Sequence, residues 1–305
     1  MVKESLPKEL FLKHEAALGL EKPVVFESEN DLFRDFGSPI DSAVVFLPKS
    51  KALIDMTLAL VSGFVRQGGT IVLAGANDAG IRSAKDAYEK NIGPVSEKIV
   101  GNHSALYVGE NKMLGANKKI EDFLSLSLLS YGSLELDVAK LPGVFSAGEL
   151  DEGTKLLLDN IPYNKTSVLD VGCGAGVVGA IYKKKNPSAG IVMSDMSLLA
   201  VRATEETLKK NGLEAKVLQS DVFEKIDEAF NLIVSNPPFH SGVETDYSFI
   251  EKFATGAKKH LTAGGEVYIV ANSFLPYEKI LERYVGETSI VVDDRKFKVI
   301  RSKVR

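Results

Sequence analysis

The chain has 305 residues, 45% of them hydrophobic and 26% charged, which is enough for two cores of ordinary domain size. With 37 basic against 41 acidic side chains the formal charge is −4, so the bulk balance announces no polyanion partner and any nucleic-acid site has to be a local patch. One cysteine, Cys173, excludes an intrachain disulfide and a cysteine-based metal cluster, and no signal core or membrane-length apolar run is present, so a cytoplasmic, membrane-free and metal-free protein is expected.

In the first half, Ser42-Ala-Val-Val-Phe-Leu47 reads as a strand, residues 52–67 as a helix and Thr70-Ile-Val-Leu-Ala74 as another strand. The turn-rich Leu141-Pro-Gly-Val-Phe-Ser146 is the expected boundary, which divides the chain into domains 1–140 and 141–305. Beyond it, Ser167-Val-Leu-Asp170 is a strand, residues 176–185 a helix, and Gly190-Ile-Val-Met-Ser-Asp195 the next strand. Ser197 then caps a helix to Lys210, which Asn211-Gly212 stops. Ala215-Lys-Val-Leu-Gln219, Phe230-Asn-Leu-Ile-Val-Ser235 and Gly265-Glu-Val-Tyr-Ile-Val270 are further strands, with a helix over 247–260 before the last. Short β-branched runs alternating with amphipathic helices predict an α/β class with a mainly parallel sheet covered on both faces.

An internal echo links the halves. Phe64-Val-Arg-Gln-Gly-Gly-Thr-Ile-Val-Leu73 has the pattern of His260-Leu-Thr-Ala-Gly-Gly-Glu-Val-Tyr-Ile269, and Asn77 shadows Asn272. The expectation is two tandem Rossmann-like domains, the first a degenerate copy without a glycine loop.

The strongest chemical signal is Val168-Leu-Asp-Val-Gly-Cys-Gly-Ala-Gly176. Glycines at 172, 174 and 176 remove side chains where a ligand would lie against the backbone, and the helix that follows points free N–H groups into the site. A nicotinamide or flavin site is the formal alternative, because Gly179 completes a G-x-G-x-x-G spacing. The acid two residues before Gly172 decides against it. Acid, then glycines, resembles motif I of class I methyltransferases, in which Asp170 would approach the amino group of a bound S-adenosylmethionine. Asp195, 19 positions after Gly176, is placed to accept from both ribose hydroxyls. Asp221, in Gln219-Ser-Asp-Val-Phe223, could accept from the adenine amino group, with Val222 or Met196 against the ring.

The second signal is Ser235-Asn-Pro-Pro-Phe-His240, directly after an apolar strand. Pro237 and Pro238 stiffen the backbone, so the Asn236 side-chain oxygen and the Pro237 carbonyl can face one cleft and accept the two N–H bonds of a planar amine. Phe239 can stack on the base and hold it in line. Such a site needs no metal and no strong general base, and His240 is as well explained as a polar partner. Among the basic clusters, the tail 295–305 holds six cations in eleven residues and is the best phosphate-contact candidate.

Phe145-Ser-Ala-Gly-Glu-Leu-Asp-Glu-Gly-Thr-Lys-Leu-Leu-Leu158, the glycine loop, Asn236-Pro-Pro-Phe-His240, Gly264-Gly265, Val270-Ala-Asn-Ser-Phe-Leu-Pro-Tyr277 and Arg295-Lys-Phe-Lys-Val299 together resemble the C-type guanine-N2 methyltransferases of small-subunit ribosomal RNA. Leu47-Pro-Lys49 and Gly75-Ala-Asn-Asp-Ala-Gly-Ile-Arg-Ser-Ala84 are similar to that family's cofactor-free N-terminal domain. The resemblance implies that S-adenosylmethionine is the cofactor, that ribosomal RNA or the small ribosomal subunit is the partner, and that Gly148 and Asp151 line the cofactor pocket. Domain 1–140, which lacks the glycine loop yet keeps its own apolar strands, is expected to shield or orient the catalytic half and to help hold structured RNA. Rival readings are a protein glutamine-N5 methyltransferase, an adenine-N6 methyltransferase and a non-catalytic RNA-binding assembly factor that keeps the fold.

Overall fold

The computed structural model describes residues 2–20, 22–113, 118–145, 150–237 and 243–304. These form two compact units, 1–124 and 125–305, each organised round its own sheet.

The first unit runs α1 (Val2–His14), β1 (Val24–Phe26), β2 (Ile40–Phe46), α2 (Lys51–Phe64), β3 (Val65–Ala76), α3 (Lys85–Asn91), β4 (Glu97–Gly101) and β5 (Ser104–Glu110). Ser50 starts α2 by accepting from the Leu53 backbone N–H at 3.3 Å, which satisfies one of the donors a helix start leaves open. The five strands lie in the order β1-β2-β3-β5-β4, with β1, β2 and β3 parallel and β5 antiparallel to both neighbours. α2 is buried along most of its length through Leu53, Met56, Leu58, Leu60 and Val61, and Val44, Val72 and Leu106 carry the sheet's core.

The second unit opens with a hairpin, β6 (Ser125–Tyr131) and β7 (Leu134–Lys140), and continues with α4 (Glu152–Asn160), β8 (Ser167–Val171), α5 (Val177–Lys185), β9 (Gly190–Asp195), α6 (Leu198–Lys210) and β10 (Lys216–Gln219). It ends with β11 (Phe230–Ser235), α7 (Val243–Lys259), β12 (Leu261–Asn272), α8 (Tyr277–Tyr284), β13 (Gly286–Asp293) and β14 (Phe297–Val304). Seven strands form one sheet in the order β10-β9-β8-β11-β12-β14-β13, parallel except where β14 pairs with β12 and β13. After β8 the chain winds outward to β9 and β10, then returns to lay β11 on the other side of β8. The carboxyl ends of β8 and β11 therefore flank the crevice where such sheets bind ligands.

Two expectations change. The units divide at 124/125 rather than at 140/141, because the β6-β7 hairpin packs on α5 and α6. The Asp137 and Ala139 N–H groups donate to Asn211 Oδ1 and Thr207 Oγ1 at 3.1 and 3.0 Å, and Leu136 and Val138 are fully buried. The basic tail, expected as the best phosphate-contact candidate, is largely a strand with several of its cations already paired. Most of it is β14, an inner strand. Lys298, 3% exposed, pairs with Glu278 at 2.8 Å, Arg301 pairs with Glu266, and Lys296 pairs with Glu152.

The internal echo holds in detail. β3 and β12 each span 12 residues. Gly68 and Gly264 both adopt positive φ, +74° and +68°. The register slips at the same place in both sheets, since Ile40 and Ser42 face Val65 and Thr70 just as Phe230 and Leu232 face Leu261 and Glu266. Gly69 and Gly265 follow, and a Cβ on either would meet a carbonyl oxygen within 3 Å. In the order of its strands the first sheet reproduces β8-β11-β12-β14-β13 and, among the described residues, has no counterpart of β9 and β10. No helix of the described residues is long and apolar enough to cross a membrane, and they hold no group of three or more His, Cys, Asp or Glu fit for a metal ion.

Candidate functional site

β8 delivers the glycine loop. Gly172, Gly174 and Gly176 all have positive φ, +73°, +57° and +83°, a conformation that would strain any branched side chain. The Gly172 and Cys173 N–H groups both donate to the Ser194 carbonyl at 2.8 and 2.9 Å, which bends the chain back over β9. Thr204 of α6 then donates to the Gly174 carbonyl at 2.9 Å.

The three glycines have different tasks. A Cβ at Gly172 would meet nothing within 4 Å, and one at Gly174 would lie 3.3 Å from the Phe145 carbonyl oxygen. One at Gly176 would strike Thr204 and Met193 at 2.9 and 3.1 Å. Gly172 and Gly174 line the cleft, whereas at Gly176, read from sequence as a ligand-contacting position, the missing side chain leaves room for α5 to start against the packed face of α6 and β9.

Asp170 is 2% exposed and faces the cleft, its carboxylate accepting from the Gly179 N–H at 3.0 Å. Burial pushes its carboxyl up to about 7; the Gly179 bond opposes the rise, and the nearby negative charge of Asp195 adds to it. Asp195, at the end of β9, accepts from the Gly174 N–H at 3.0 Å through one oxygen and from the Ser197 N–H at 2.9 Å through the other. It thereby ties the glycine loop to the start of α6.

β11 delivers the second half. Ser235 is fully buried and donates to the Val171 carbonyl at 2.8 Å, which pins the ends of β11 and β8 together. Asn236 follows. Its Nδ2 donates to Thr154 Oγ1 at 2.8 Å and lies 3.4 Å from Asp151 Oδ2, while its Oδ1 is buried without a partner. Asp151 caps α4, accepting from the Gly153 and Thr154 N–H groups at 3.0 and 3.1 Å. Asp170, Gly172, Gly174 and Asn236 thus share one cleft with about 320 Å³ of empty space, part of it open to solvent. Phe145, Thr154, Cys173, Val177 and Val178 complete its walls. Burial raises the Cys173 thiol well above its ordinary range, so it is a small apolar wall rather than a nucleophile.

Other expected residues stand apart. Asp221 does not line the cleft; it is half exposed and its carboxylate is held by Lys252 at 2.5 Å, an ion pair that competes with an adenine contact. Val222 is 7% exposed with φ +56°, an unusual conformation for a β-branched residue at the loop after β10. Met196 is 63% exposed. Pro237 is buried beside Asn236. Gly148, Pro238, Phe239 and His240 lie outside the described residues. Sequence reasoning overlooked Thr154, although the spacing Asp151-x-x-Thr154 at a helix start marks a capping pair whose hydroxyl is available to a third group.

The chain matches the family described as Methyltransferase small domain over residues 135–301 and the one described as Methyltransferase small domain N-terminal over residues 16–126. It is 40% identical over 273 residues to the ribosomal RNA small subunit methyltransferase C of Aeromonas hydrophila, covering 88% of this chain and 79% of that protein. The protein of the same description from Vibrio cholerae is 37% identical over 263 residues, covering 86% and 77%. Among solved structures, a T. thermophilus 16S rRNA N2 methyltransferase in complex with AdoMet and guanosine superposes with a TM-score of 0.77 at 25% identity, covering 88% of this chain and 74% of that one. With a glycine loop and Asn236 meeting at one switch point of a seven-stranded sheet, the chain belongs to the ribosomal RNA small subunit methyltransferase C family.

Proposed function

We propose that this chain transfers a methyl group from S-adenosylmethionine to the exocyclic N2 of a guanine in small-subunit ribosomal RNA, acting in the cytoplasm. The observation that carries the reading is the Asn236 Oδ1, a buried acceptor without a partner beside the glycine loop. An orphaned buried acceptor costs about 1–3 kcal/mol, so a fold that keeps one at its ligand cleft is holding it for a donor that arrives with the substrate.

The residues fit the cofactor. Gly172 leaves its backbone open to a ligand and Gly174 lines the same cleft, Asp170 offers a buried carboxylate to a cationic amino group, and Asp195 stands at the end of the second strand where ribose hydroxyls are bound in related sheets. Asp151 belongs to the same wall through its bonds to Thr154 and Asn236. When bound, the cofactor supplies a methyl group on a positively charged sulfur, already activated towards a nitrogen nucleophile. The protein's task is then to make a poor nucleophile adequate. A guanine N2 lone pair is delocalised into the ring, and its two N–H bonds become more acidic as the nitrogen attacks. Asn236 Oδ1 and the Pro237 carbonyl are the acceptors for those protons, bonds that strengthen in the transition state. Phe239 is the residue to stack on the base. The surplus proton leaves to water after transfer, so no side-chain base is required.

The first unit's sequence has no glycine loop and its described residues hold no counterpart of β9, which carries Asp195 in the second, so it is assigned no cofactor. Its assigned task is to hold structured RNA by shape and phosphate contacts. The test is methyl transfer from labelled S-adenosylmethionine to ribosomal RNA of cells lacking the gene, followed by nucleoside analysis. N2-methylguanosine is expected; a methylated adenosine, a methylated protein glutamine or no transfer would overturn the reading.

A further inference from the structure

The geometry points to Thr154 as the residue that sets which end of the Asn236 side-chain amide faces the reacting amine, acting as a one-way hydrogen-bond relay from Asp151. The proposal rests on the function just given, and it concerns a positioning residue rather than one that touches substrate.

The relay follows from which groups can donate. An ionised carboxylate only accepts. Asp151 accepts from the Gly153 and Thr154 backbone N–H groups and also from the Thr154 hydroxyl. That hydroxyl has a single proton, and it is spent on Asp151. Only lone pairs remain on Thr154 Oγ1 for Asn236, so the partner 2.8 Å away has to be the NH2 end of the amide. The second contact, 3.4 Å to Asp151 Oδ2, also admits only a donor. Asn236 Oδ1 is consequently turned the other way, and it is the one atom of the amide buried without a partner.

The polarity has a chemical consequence. Flipped, the amide would present two N–H donors to an amine that also brings two, a repulsive pair where attraction is needed. Without the relay both orientations are open to the side chain, and only one of them accepts from the substrate. α4 therefore contributes to the chemistry from the α4 N-terminus, through a residue 82 positions from Asn236 in sequence.

The test uses the full chain, ribosomal RNA from cells lacking the gene, and single-turnover rates at saturating S-adenosylmethionine. Thr154→Val keeps the shape and deletes the relay, and the rate should fall on the order of 10-fold to 100-fold, as for a lost transition-state hydrogen bond. Cofactor affinity, read by calorimetry, should fall by a smaller factor than the rate, since the relay acts on the orientation of Asn236. Thr154→Ser, which keeps the hydroxyl, should restore most of the rate. In an Asn236→Ala background, Thr154→Val should cost nothing further. The inference is overturned if Thr154→Val keeps the wild-type rate, if Thr154→Ser is as slow as Thr154→Val, or if the two substitutions add in full. A wild-type chain that methylates no RNA would instead remove the proposed function, and this inference with it.

Discussion

Asp170→Asn should stabilise the protein while disabling it, and the size of the effect is set by the burial of that carboxylate. In the unfolded chain the group titrates near 3.8, whereas in the fold burial lifts it to about 7. Between those values the native state holds a proton that the unfolded state has released, so stability falls as pH rises through the window and the loss is complete above pH 7. Each pH unit inside the window is worth about 1.4 kcal/mol, so the gap between Asp170→Asn and wild type should widen by roughly 2–3 kcal/mol from pH 5 to pH 8. The asparagine oxygen can keep the Gly179 bond, so the substitution removes the charge with little repacking. Hydrogen exchange in urea at the two pH values reads the second unit's amides separately from the first. A gap that stays constant or narrows as pH rises would refute the reasoning. The same variant should lose S-adenosylmethionine affinity by about 10-fold or more, the scale of a charge-assisted hydrogen bond. Raised stability together with lost affinity would show that the cleft keeps a destabilising carboxylate for the ligand's cation.

Asn236→Ala should lower methyl transfer on the order of 100-fold with nearly unchanged cofactor binding, as a lost transition-state acceptor requires; turnover close to wild type in a steady-state assay would sink the assignment. Gly172→Ala and Gly176→Ala should fail in different ways. The first adds a methyl to open space at the cleft and should abolish cofactor binding for a stability cost of about 1–2 kcal/mol from its left-handed backbone, whereas the second drives a methyl into Thr204 and Met193 and should cost more stability than Gly172→Ala. Calorimetry and thermal unfolding of both proteins separate the cases, and an unchanged cofactor affinity in Gly172→Ala would contradict the cradle. Residues 125–305 alone should bind cofactor yet lose most RNA affinity, with a shallower salt dependence because fewer phosphates are contacted; residues 141–305, which lack the hairpin on α5 and α6, should be markedly less stable. Full RNA affinity and an unchanged salt slope in 125–305 would make the first unit a folding partner only.

The chemistry-bearing loops were legible because local covalent rules write them. A run of three glycines at two-residue spacing after an apolar strand can do little except turn sharply beside a ligand, and an Asn-Pro-Pro sequence after another strand stiffens itself. The strands of the second half read well for a related reason: in a parallel sheet covered on both faces they are continuous apolar runs, and Gly190–Asp195 and Phe230–Ser235 lie where the pattern puts them. The duplication was legible too, since a shared pair of glycines carries the same bulge in both sheets.

What the sequence could not decide is where a charge goes once distant segments meet. Lys298 and Arg301 look like a basic tail until β14 threads between β12 and β13 and carries them to Glu278 and Glu266. Asp221, expected to accept from adenine, also meets Lys252, which α7 brings to it from 31 positions away. The hairpin 125–140 has no local signal of allegiance; its partners Thr207 and Asn211, at the end of α6, are 68 and 74 positions away in sequence, and its bonds to their side chains together with the burial of Leu136 and Val138 assign it to the second unit. The orientation of Asn236 is a tertiary fact of the same kind. The sequence by itself determined which residue carries the acceptor, because an amide on a proline-stiffened loop is a local property. Only the tertiary structure decided which way that amide points, because the direction of a hydrogen bond depends on whether the group opposite has a proton left to give, and here that group arrives on another helix.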